Sequence, residues 1–178
     1  MDITETVLCK DRQEWRNWLQ NNHNKKTEIW LLSPNKKTLS YLESVEEGLC
    51  FGWIDGIQKR RDEHTTAQRF TPRRKGSNWT ELNKERARRL IAQGLMTEAG
   101  YATLPDLDIK NFTIADDIQN ALKEDAEVWE NFQNFPAVYQ RIRIGYIEEM
   151  RKQPEVFATR LGNFISKTRA NKLFGSLI

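Results

Sequence analysis

Cysteine and histidine are scarce in this chain, and their scarcity narrows the possible functions. The sequence holds 2 Cys and 2 His among 178 residues. Cys9 and Cys50 form no CxxC pair, which indicates a reducing compartment and two small buried thiols rather than disulfides. His23 and His64 both lie in polar runs without metal-ligand spacing. We therefore predict no metal site and no cofactor.

Long apolar runs are also missing. No stretch approaches the roughly 20 apolar residues that cross a bilayer, and the N-terminal segment shows no basic region followed by an apolar one. We therefore expect a cytoplasmic protein without a membrane span. There is no P-loop and no GxGxxG fingerprint. The sequence gives no indication of an oligomeric state.

Aromatic side chains, by contrast, are plentiful, with 6 Trp, 8 Phe and 4 Tyr. They supply a substantial core and exclude a disordered chain. Hydrophobic periodicity and capping residues predict helices over residues 11–21, 40–51 and 80–93, and strands over 27–33, 53–59 and 67–71. After a linker near 105–112 the pattern is helical. The fold class is therefore α+β: a small antiparallel or mixed sheet with packed helices over residues 1–108, then a helical unit over 109–178.

Positive charge is concentrated in one window. Residues 59–89 hold 11 Lys or Arg and 4 Asp or Glu, a balance of +7, whereas the whole chain carries only +3. The remainder therefore sums to −4, so the basic character is local. This distribution indicates one basic face or pocket rather than a generally cationic protein.

Asp55 is the first candidate for chemistry. Strand alternation places Trp53, Asp55 and Ile57 on one face, and the two apolar residues predict that this face points inward. A buried carboxylate needs a cationic or hydrogen-bonding partner. The nearby sequence offers Arg69, Arg73, Arg74 and Arg86. Asp55 is then either half of a structural ion pair or a ligand-orienting or catalytic carboxylate, and the sequence leaves both open.

The helix predicted from Trp79 gives a second clue. Helical spacing places Asn83 and Arg86 within an apolar stripe that also contains Trp79 and Leu90. Polar groups on such a face require partners, which a polar pocket or a core salt bridge would each provide.

The loop at residues 73–78 leads into that helix and combines Arg73, Arg74, Gly76 and Ser77. Guanidiniums beside the free N–H groups of a helix start are suited to binding a phosphate or carboxylate. The alternative is a solvated basic loop. Glu46 and Glu47 are expected to be solvated.

Nucleic acid is a third possibility for the basic window. Seven Lys or Arg lie between Lys59 and Lys75, with Phe70 among them. Such a segment resembles a phosphate-tracking groove with stacking platforms. However, no RNP, KH or helix-turn-helix pattern accompanies it, so we rank this interpretation last.

The motifs CFGWIDG at 50–56, RFTPRRKGSNWTELN at 69–83 and GLMTEAG at 94–100 resemble the YdeI/OmpD-associated, or bacteriocin-protection, family. Residues 114–132 and 145–169 resemble the helical OmdA domain of that family. The resemblance implies a role in tolerance of bacteriocins and antimicrobial peptides, and the family has no agreed catalytic residues. It also implies one shared site that contains Trp53, Asp55, Arg69, Arg73, Ser77, Trp79 and Asn83.

Together these observations predict a pocket that binds a small anionic ligand. Asp55 and Asn83 would orient the ligand, and Trp53 and Trp79 would form apolar walls. The anionic group would be held by Arg69, Arg73, Arg74, Ser77 and Arg86. The alternatives are an enzyme that uses Asp55 as general base in the same pocket and a nucleic-acid-binding module built on residues 59–89.

Overall fold

A computed structural model describes residues 2–34 and 39–175 of the chain. Within these residues it confirms the α+β class and shows a mixed sheet. The strands are β1 (Thr6–Leu8), β2 (Ile29–Ser33), β3 (Trp53–Arg60) and β4 (Thr66–Pro72). The helices are α1 (Arg12–Asn22), α2 (Tyr41–Cys50), α3 (Glu81–Ala92), α4 (Glu98–Tyr101), α5 (Asp116–Lys123), α6 (Ala126–Asn134), α7 (Ala137–Glu148) and α8 (Pro154–Arg169). A short 3₁₀ helix occupies Ile109–Asn111.

The sheet has the strand order β1-β2-β4-β3. β1 pairs in parallel with β2, and the other two pairings are antiparallel. The three-residue β1 is absent from the sequence predictions, because so short a strand carries no detectable alternation. β3 and β4 form a hairpin whose loop lies at residues 61–65, as predicted.

Capping explains where two of the helices begin. The Asp11 side chain accepts a hydrogen bond from the backbone N–H of Glu14 at the start of α1. Ser40 and Glu43 form a complete capping box at the start of α2, which confirms the sequence prediction. After α3, Gly94 adopts a φ of +69°, as a helix-ending glycine does.

The chain divides into two compact units. The first unit comprises Met1–Ser77 and Ala87–Pro105, and the second comprises Asn78–Arg86 and Asp106–Ile178. The dividing line passes through α3. The sequence-predicted division falls instead at residues 108 and 109.

The core of the first unit is built from aromatic rings. Trp15 of α1 stacks on Trp18 with ring centroids 5.3 Å apart and lies tilted against Phe70 of β4 at 5.2 Å. Trp18 in turn meets the edge of Trp53 at 5.9 Å. Helix α1 therefore covers the face of the sheet that carries Phe70 and Trp53.

The second unit has its own core. Buried apolar side chains from α5, α6, α7 and α8 form one cluster, which includes Ile118, Leu122, Phe132, Tyr139 and Phe164. Phe132 meets Phe164 edge-on at 6.1 Å. Pro154 occupies the first turn of α8, where the missing N–H of proline costs no helical hydrogen bond. Pro136 is the residue before α7. In the described residues, no helix is both long enough and apolar enough to span a bilayer.

Candidate functional site

Asp55 lies half-buried in β3 and is held by a tyrosine. The Tyr41 hydroxyl, at the first residue of α2, donates a hydrogen bond to Asp55 Oδ2 over 2.6 Å. Tyr41 itself is 56% exposed, so this pair lies at the surface of the first unit. Sequence reasoning missed Tyr41, because a contact between a helix start and a strand depends on tertiary structure alone.

The prediction that Ile57 faces inward beside Trp53 is wrong. Asp55 pairs with Phe70 and Gln58 with Gln68, so the strands change register between these pairs. Gly56 and Ile57 together lie opposite Arg69, which is a β-bulge. The extra residue interrupts the alternation of side chains, and Ile57 is 48% exposed.

Arg73 is the most deeply buried cation among the predicted site residues of the first unit. It is 6% exposed, and its backbone N–H donates to the Gly52 carbonyl over 2.8 Å. Burial lowers the pKa of Arg73, and the nearby Asp55 carboxylate opposes that shift. Its Nη1 donates to Ser77 Oγ over 3.4 Å. Tyr41, Asp55, Arg73 and Ser77 are thus linked in series.

The loop that follows β4 presents further positive charge. Arg74 and Lys75 are exposed. Gly76 has a φ of +74°, a backbone conformation that residues other than glycine rarely adopt. The turn at Gly76 returns the chain to Ser77, beside Arg73. The loop therefore places two exposed cations next to one buried guanidinium.

The fold does not place the Arg69 side chain beside Asp55. It is adjacent to Phe70, the residue that pairs with Asp55, and so points to the opposite face of the sheet. On that face Arg69 forms an ion pair with Glu28. Hydrogen bonds from Thr4 and then Arg69 lower the pKa of Glu28. Glu28 was not among the predicted partners, because its separation from Arg69 along the chain conceals the pairing of β2 with β4.

Trp53 is a core residue rather than an accessible wall. It is 1% exposed, and its indole N–H donates to the His23 carbonyl over 3.2 Å. This burial matches the general tendency of large aromatic side chains to build cores.

The three remaining predicted residues belong to the second unit. Arg86 is 8% exposed, and its Nη1 donates to Asn83 Oδ1 over 2.9 Å. Trp79 lines a cleft of about 250 Å³ in this unit, together with Glu81, Phe112 and Gly145. Asn83 and Arg86 therefore contact each other. This agrees with the prediction that polar residues within the apolar stripe of this helix require partners.

The expectation that Glu46 and Glu47 are solvated is wrong. They are 4% and 1% exposed, respectively. Glu47 accepts from Arg12 over 2.6 Å and from Arg16 over 2.7 Å. Glu46 accepts from Arg12 over 3.0 Å and also pairs with Arg89. Two carboxylates can be buried here because three guanidiniums surround them.

A sequence signal for this cluster existed. Arg12 and Arg16 are four residues apart and therefore share one face of α1. Trp15 and Leu19 bury the neighbouring face. Basic residues that border an apolar stripe in this way can reach acids on an adjacent helix.

Neither thiol nor metal chemistry is indicated by the described residues. Burial raises the pKa of Cys9 and of Cys50 to about 11, so both thiols are protonated at neutral pH. Over residues 2–34 and 39–175, no three His, Cys, Asp or Glu residues are grouped as metal ligands would be.

Some of the cations in the basic window form ion pairs. Arg69 pairs with Glu28, Lys84 with Glu81, and Arg89 with Glu46. Glu28 and Glu46 lie outside residues 59–89, so their ion pairs reduce the positive potential that the composition of this window suggests. They weaken the case for a nucleic-acid groove, which requires many unpaired cations along one surface.

Comparison with known families defines the class of protein. Residues 111–171 match the OmdA family, described as "Bacteriocin-protection, YdeI or OmpD-Associated", which confirms the resemblance in the C-terminal region. Residues 7–103 match a domain of unknown function, DUF8412. This second match covers more than half of the chain, which therefore belongs to the DUF8412 family. No curated protein and no solved structure shows a significant match. The chain thus joins a DUF8412 domain to a C-terminal region similar to the bacteriocin-protection family OmdA.

Proposed function

We propose that the protein contributes to tolerance of bacteriocins or related peptides by binding a small anionic ligand in its first unit. The observation that carries this proposal is the linked series Tyr41–Asp55–Arg73–Ser77. The series joins α2, β3 and the loop after β4 through a hydrogen bond of 2.6 Å, the electrostatic attraction between Asp55 and Arg73, and a hydrogen bond of 3.4 Å.

The burial of Arg73 favours binding of an anion. A guanidinium withdrawn from water interacts more strongly with a negative group than a solvated one does, because the local dielectric constant is lower. The exposed Arg74 and Lys75 add a local field that attracts anions. Asp55, fixed by Tyr41, would accept a hydrogen bond from a hydroxyl or amine elsewhere on the ligand. The ligand would therefore carry a phosphate or carboxylate and a hydrogen-bond donor.

A thermal-shift screen of phosphorylated and carboxylated metabolites tests this proposal. A ligand present at about 100 times its Kd stabilises the folded state by roughly 2.7 kcal/mol. We expect at least one stabilising compound, and we expect Arg73→Ala to abolish its effect. The absence of any stabilising compound, or retention of the effect in Arg73→Ala, would contradict the proposal.

Arg61 provides a matched control. It is exposed in the loop of the β3–β4 hairpin, whereas Arg73 follows the end of β4 at which Pro72 pairs with Trp53. The two arginines therefore lie at opposite ends of the hairpin. Arg61→Ala removes the same charge and should leave the stabilisation unchanged. Asp55→Asn gives a milder perturbation and should weaken binding without changing the fold.

The hydrogen bond from Tyr41 also favours a second candidate, an enzyme in which Asp55 acts as general base. A general base must be held in a fixed orientation, and the Tyr41 hydroxyl provides such a restraint at Oδ2. This candidate predicts turnover of the stabilising compound that Asp55→Asn abolishes. Stabilisation without turnover would leave only the binding proposal.

We further propose that this binding takes place in the cytoplasm. Fractionation of cells that express the full chain would test the location. Recovery in the periplasmic or membrane fraction would contradict it.

A further inference from the structure

The first unit contains a cleft of about 430 Å³ beside the end of α1 and the start of α4. This volume lies within the range of small-molecule sites, roughly 300–1,000 Å³. The residues that line the cleft all belong to the first unit and are Gln20, His23, Phe51, Thr97, Glu98 and Ala99. None of them belongs to the linked series that contains Arg73, so the cleft is distinct from the candidate site described above.

His23 is held in the wall of this cleft through both its ring and its backbone. Its Nδ1 lies 2.9 Å from the carbonyl oxygen of Leu19. The carbonyl of His23 accepts from the indole N–H of Trp53 over 3.2 Å. The imidazole ring also packs on Phe51, with ring centroids 5.4 Å apart. These contacts fix the orientation of the imidazole.

The contact with Leu19 determines which ring nitrogen of His23 carries the proton. A carbonyl oxygen only accepts hydrogen bonds, so Nδ1 must be the protonated nitrogen that donates. In a neutral imidazole the other nitrogen, Nε2, then bears a lone pair. Within the described residues, no side chain or backbone group donates to Nε2. The cleft wall therefore contains an oriented hydrogen-bond acceptor.

Glu98 brings a negative charge to the same cleft. It is exposed at the first residue of α4, and its carboxylate has no ion pair or hydrogen bond with any residue that the structure describes. Thr97, by contrast, offers no donor to a ligand. Its hydroxyl donates to the Cys50 carbonyl over 2.5 Å and accepts from the Gly100 backbone N–H over 3.3 Å.

The polar groups of the lining favour a ligand that donates hydrogen bonds. Nε2 of His23 and the carboxylate of Glu98 both accept, whereas the exposed carboxamide of Gln20 can donate and accept. Among the described residues, neither Lys nor Arg lines the cleft. The lining thus carries one formal negative charge, from Glu98. Acceptors and negative charge together complement a ligand with N–H donors and a positive charge.

Phe51 and Ala99 form the apolar part of the wall. The guanidinium carbon of Arg16 lies 5.3 Å from the centroid of the Phe51 ring, but Arg16 does not line the cleft. Its Nη1 pairs with Glu47 over 2.7 Å. This pairing offsets the repulsion that Arg16 exerts on a cation in the cleft.

We propose that this cleft binds a small organic ammonium ion, a protonated primary amine with an apolar body. The ammonium group carries three N–H donors, and it donates to Nε2 of His23 and to the carboxylate of Glu98. The apolar body lies against Phe51 and Ala99. A cavity of about 150 Å³ accepts benzene, so the cleft has room for a benzyl group together with its ammonium.

This proposal is independent of the anion site at Arg73, because the two ligands carry opposite charges. Arg73→Ala should leave the affinity for an ammonium ligand unchanged. Glu98→Gln should leave the stabilisation by an anionic ligand unchanged. Each proposal can therefore fail without the other.

Titration of the full chain with benzylammonium chloride at constant pH and ionic strength tests the cleft. The imidazole ¹⁵N resonances report on His23 directly. The chain has only one other histidine, His64, which is exposed in the loop of the β3–β4 hairpin and serves as the internal reference. We expect a saturable shift of Nε2 in His23 and none in His64. Absence of saturation, or equal shifts in both imidazoles, would overturn the proposal.

His23→Asn is the most selective variant. The side chains of Asn21 and Asn22 each donate to the carbonyl four residues earlier, as Nδ1 of His23 does. Asparagine at position 23 can therefore keep that hydrogen bond while it removes Nε2. Benzylammonium binding, measured by calorimetry, should weaken by about tenfold, the effect of one hydrogen bond to a charged group. Unchanged affinity would overturn the proposal.

Glu98→Gln and Glu63→Gln form a matched pair of charge removals. Both glutamates are exposed in the first unit, but Glu63 lies in the β3–β4 loop and does not line the cleft. Glu98→Gln should weaken benzylammonium binding by about fivefold, the upper range for an exposed ion pair. Glu63→Gln should leave the affinity unchanged. Equal losses in the two variants would show that only general surface charge is involved, which contradicts the proposal.

Benzyl alcohol and benzoate complete the test. Benzyl alcohol has nearly the shape of benzylammonium without its charge, and benzoate carries the opposite charge. We expect benzylammonium to bind most tightly and benzoate most weakly, because the Glu98 carboxylate attracts the first and repels the second. Equal affinity for benzylammonium and benzyl alcohol would show that the cleft recognises only the apolar body, and the proposal would be wrong.

Discussion

The two units hold their half-buried and buried arginines by different means. In the first unit, Arg12 and Arg16 reach the carboxylates of Glu46 and Glu47. In the second unit, Arg143 lies against the faces of three aromatic rings. Carboxylates attract a cation through a full opposite charge, whereas ring faces attract it through their quadrupole. The first arrangement depends on pairs of opposite charges, and the second places a cation against aromatic surface.

Removal of one carboxylate from the first unit should have the largest effect. Glu47→Gln leaves Arg12 and Arg16 without their shared anion in a buried site, and the expected loss is about 3–5 kcal/mol of unfolding free energy. Urea denaturation measures it. Glu124→Gln, an exposed acid of the second unit, should change stability by less than about 0.5 kcal/mol. A loss of unfolding free energy below about 1 kcal/mol for Glu47→Gln would contradict the view that the first unit depends on its buried carboxylates.

Glycine substitutions in the two units should change stability in opposite directions. A Cβ on Gly100 would overlap the carbonyl of Cys50 and the sulfur of Met96, so Gly100→Ala should cost about 1–3 kcal/mol through overpacking. Gly162 in α8 has open space around its Cβ position. Gly162→Ala should therefore stabilise the chain by roughly 0.5–1 kcal/mol through helix propensity. Thermal melts of both variants measure the direction of each stability change. Stabilisation by Gly100→Ala would contradict the close packing around Gly100.

Replacement of a ring-bound arginine should have a smaller effect than Glu47→Gln. Arg143→Met retains much of the side-chain length but removes the charge, and the expected loss is about 1–2 kcal/mol, as for a buried cation–π contact. The same denaturation assay measures it. A loss as large as that of Glu47→Gln would contradict the smaller stabilisation that we assign to contacts between a guanidinium and ring faces.

Alkaline pH should act on the first unit before the second. The raised pKa values of Cys9 and Cys50 mean that their contribution to stability is complete below pH 9 and is lost as pH rises toward about 11. Tyr139 in the second unit also has a pKa raised by burial, from an ordinary value of 10.0. Hydrogen exchange resolved by unit should therefore show weakening of the first unit at the lower pH. Simultaneous weakening of both would contradict this order.

Local sequence rules predicted those parts of the fold that local interactions determine. The capping box at Ser40 and Glu43 and the glycine after α3 follow directly from residue identity. The bulge that exposes Ile57 depends on how β3 and β4 pair, and sequence alternation alone indicates the wrong face. The burial of Glu47 depends on α1 and α2 packing together. The spacing of Arg12 and Arg16 on α1 indicates the cations, but it does not specify which acids they meet.

Sequence reasoning also predicted only those contacts of the candidate site that join residues close along the chain. Residues close in sequence, such as Arg73 with Ser77 and Asn83 with Arg86, do contact each other. Tyr41 with Asp55 and Glu28 with Arg69 are contacts between separate elements, and sequence reasoning did not predict these pairings. The prediction that all nine residues form one site remains a prediction.

The most direct test of anion binding at Arg73 is anomalous diffraction from crystals of the full chain soaked in selenate. Selenate is an oxyanion, and the anomalous signal of selenium locates it. The account predicts a selenate within hydrogen-bond distance of the Arg73 guanidinium or the Ser77 hydroxyl. Selenate bound only at exposed cations such as Arg61, with none beside Arg73, would contradict it.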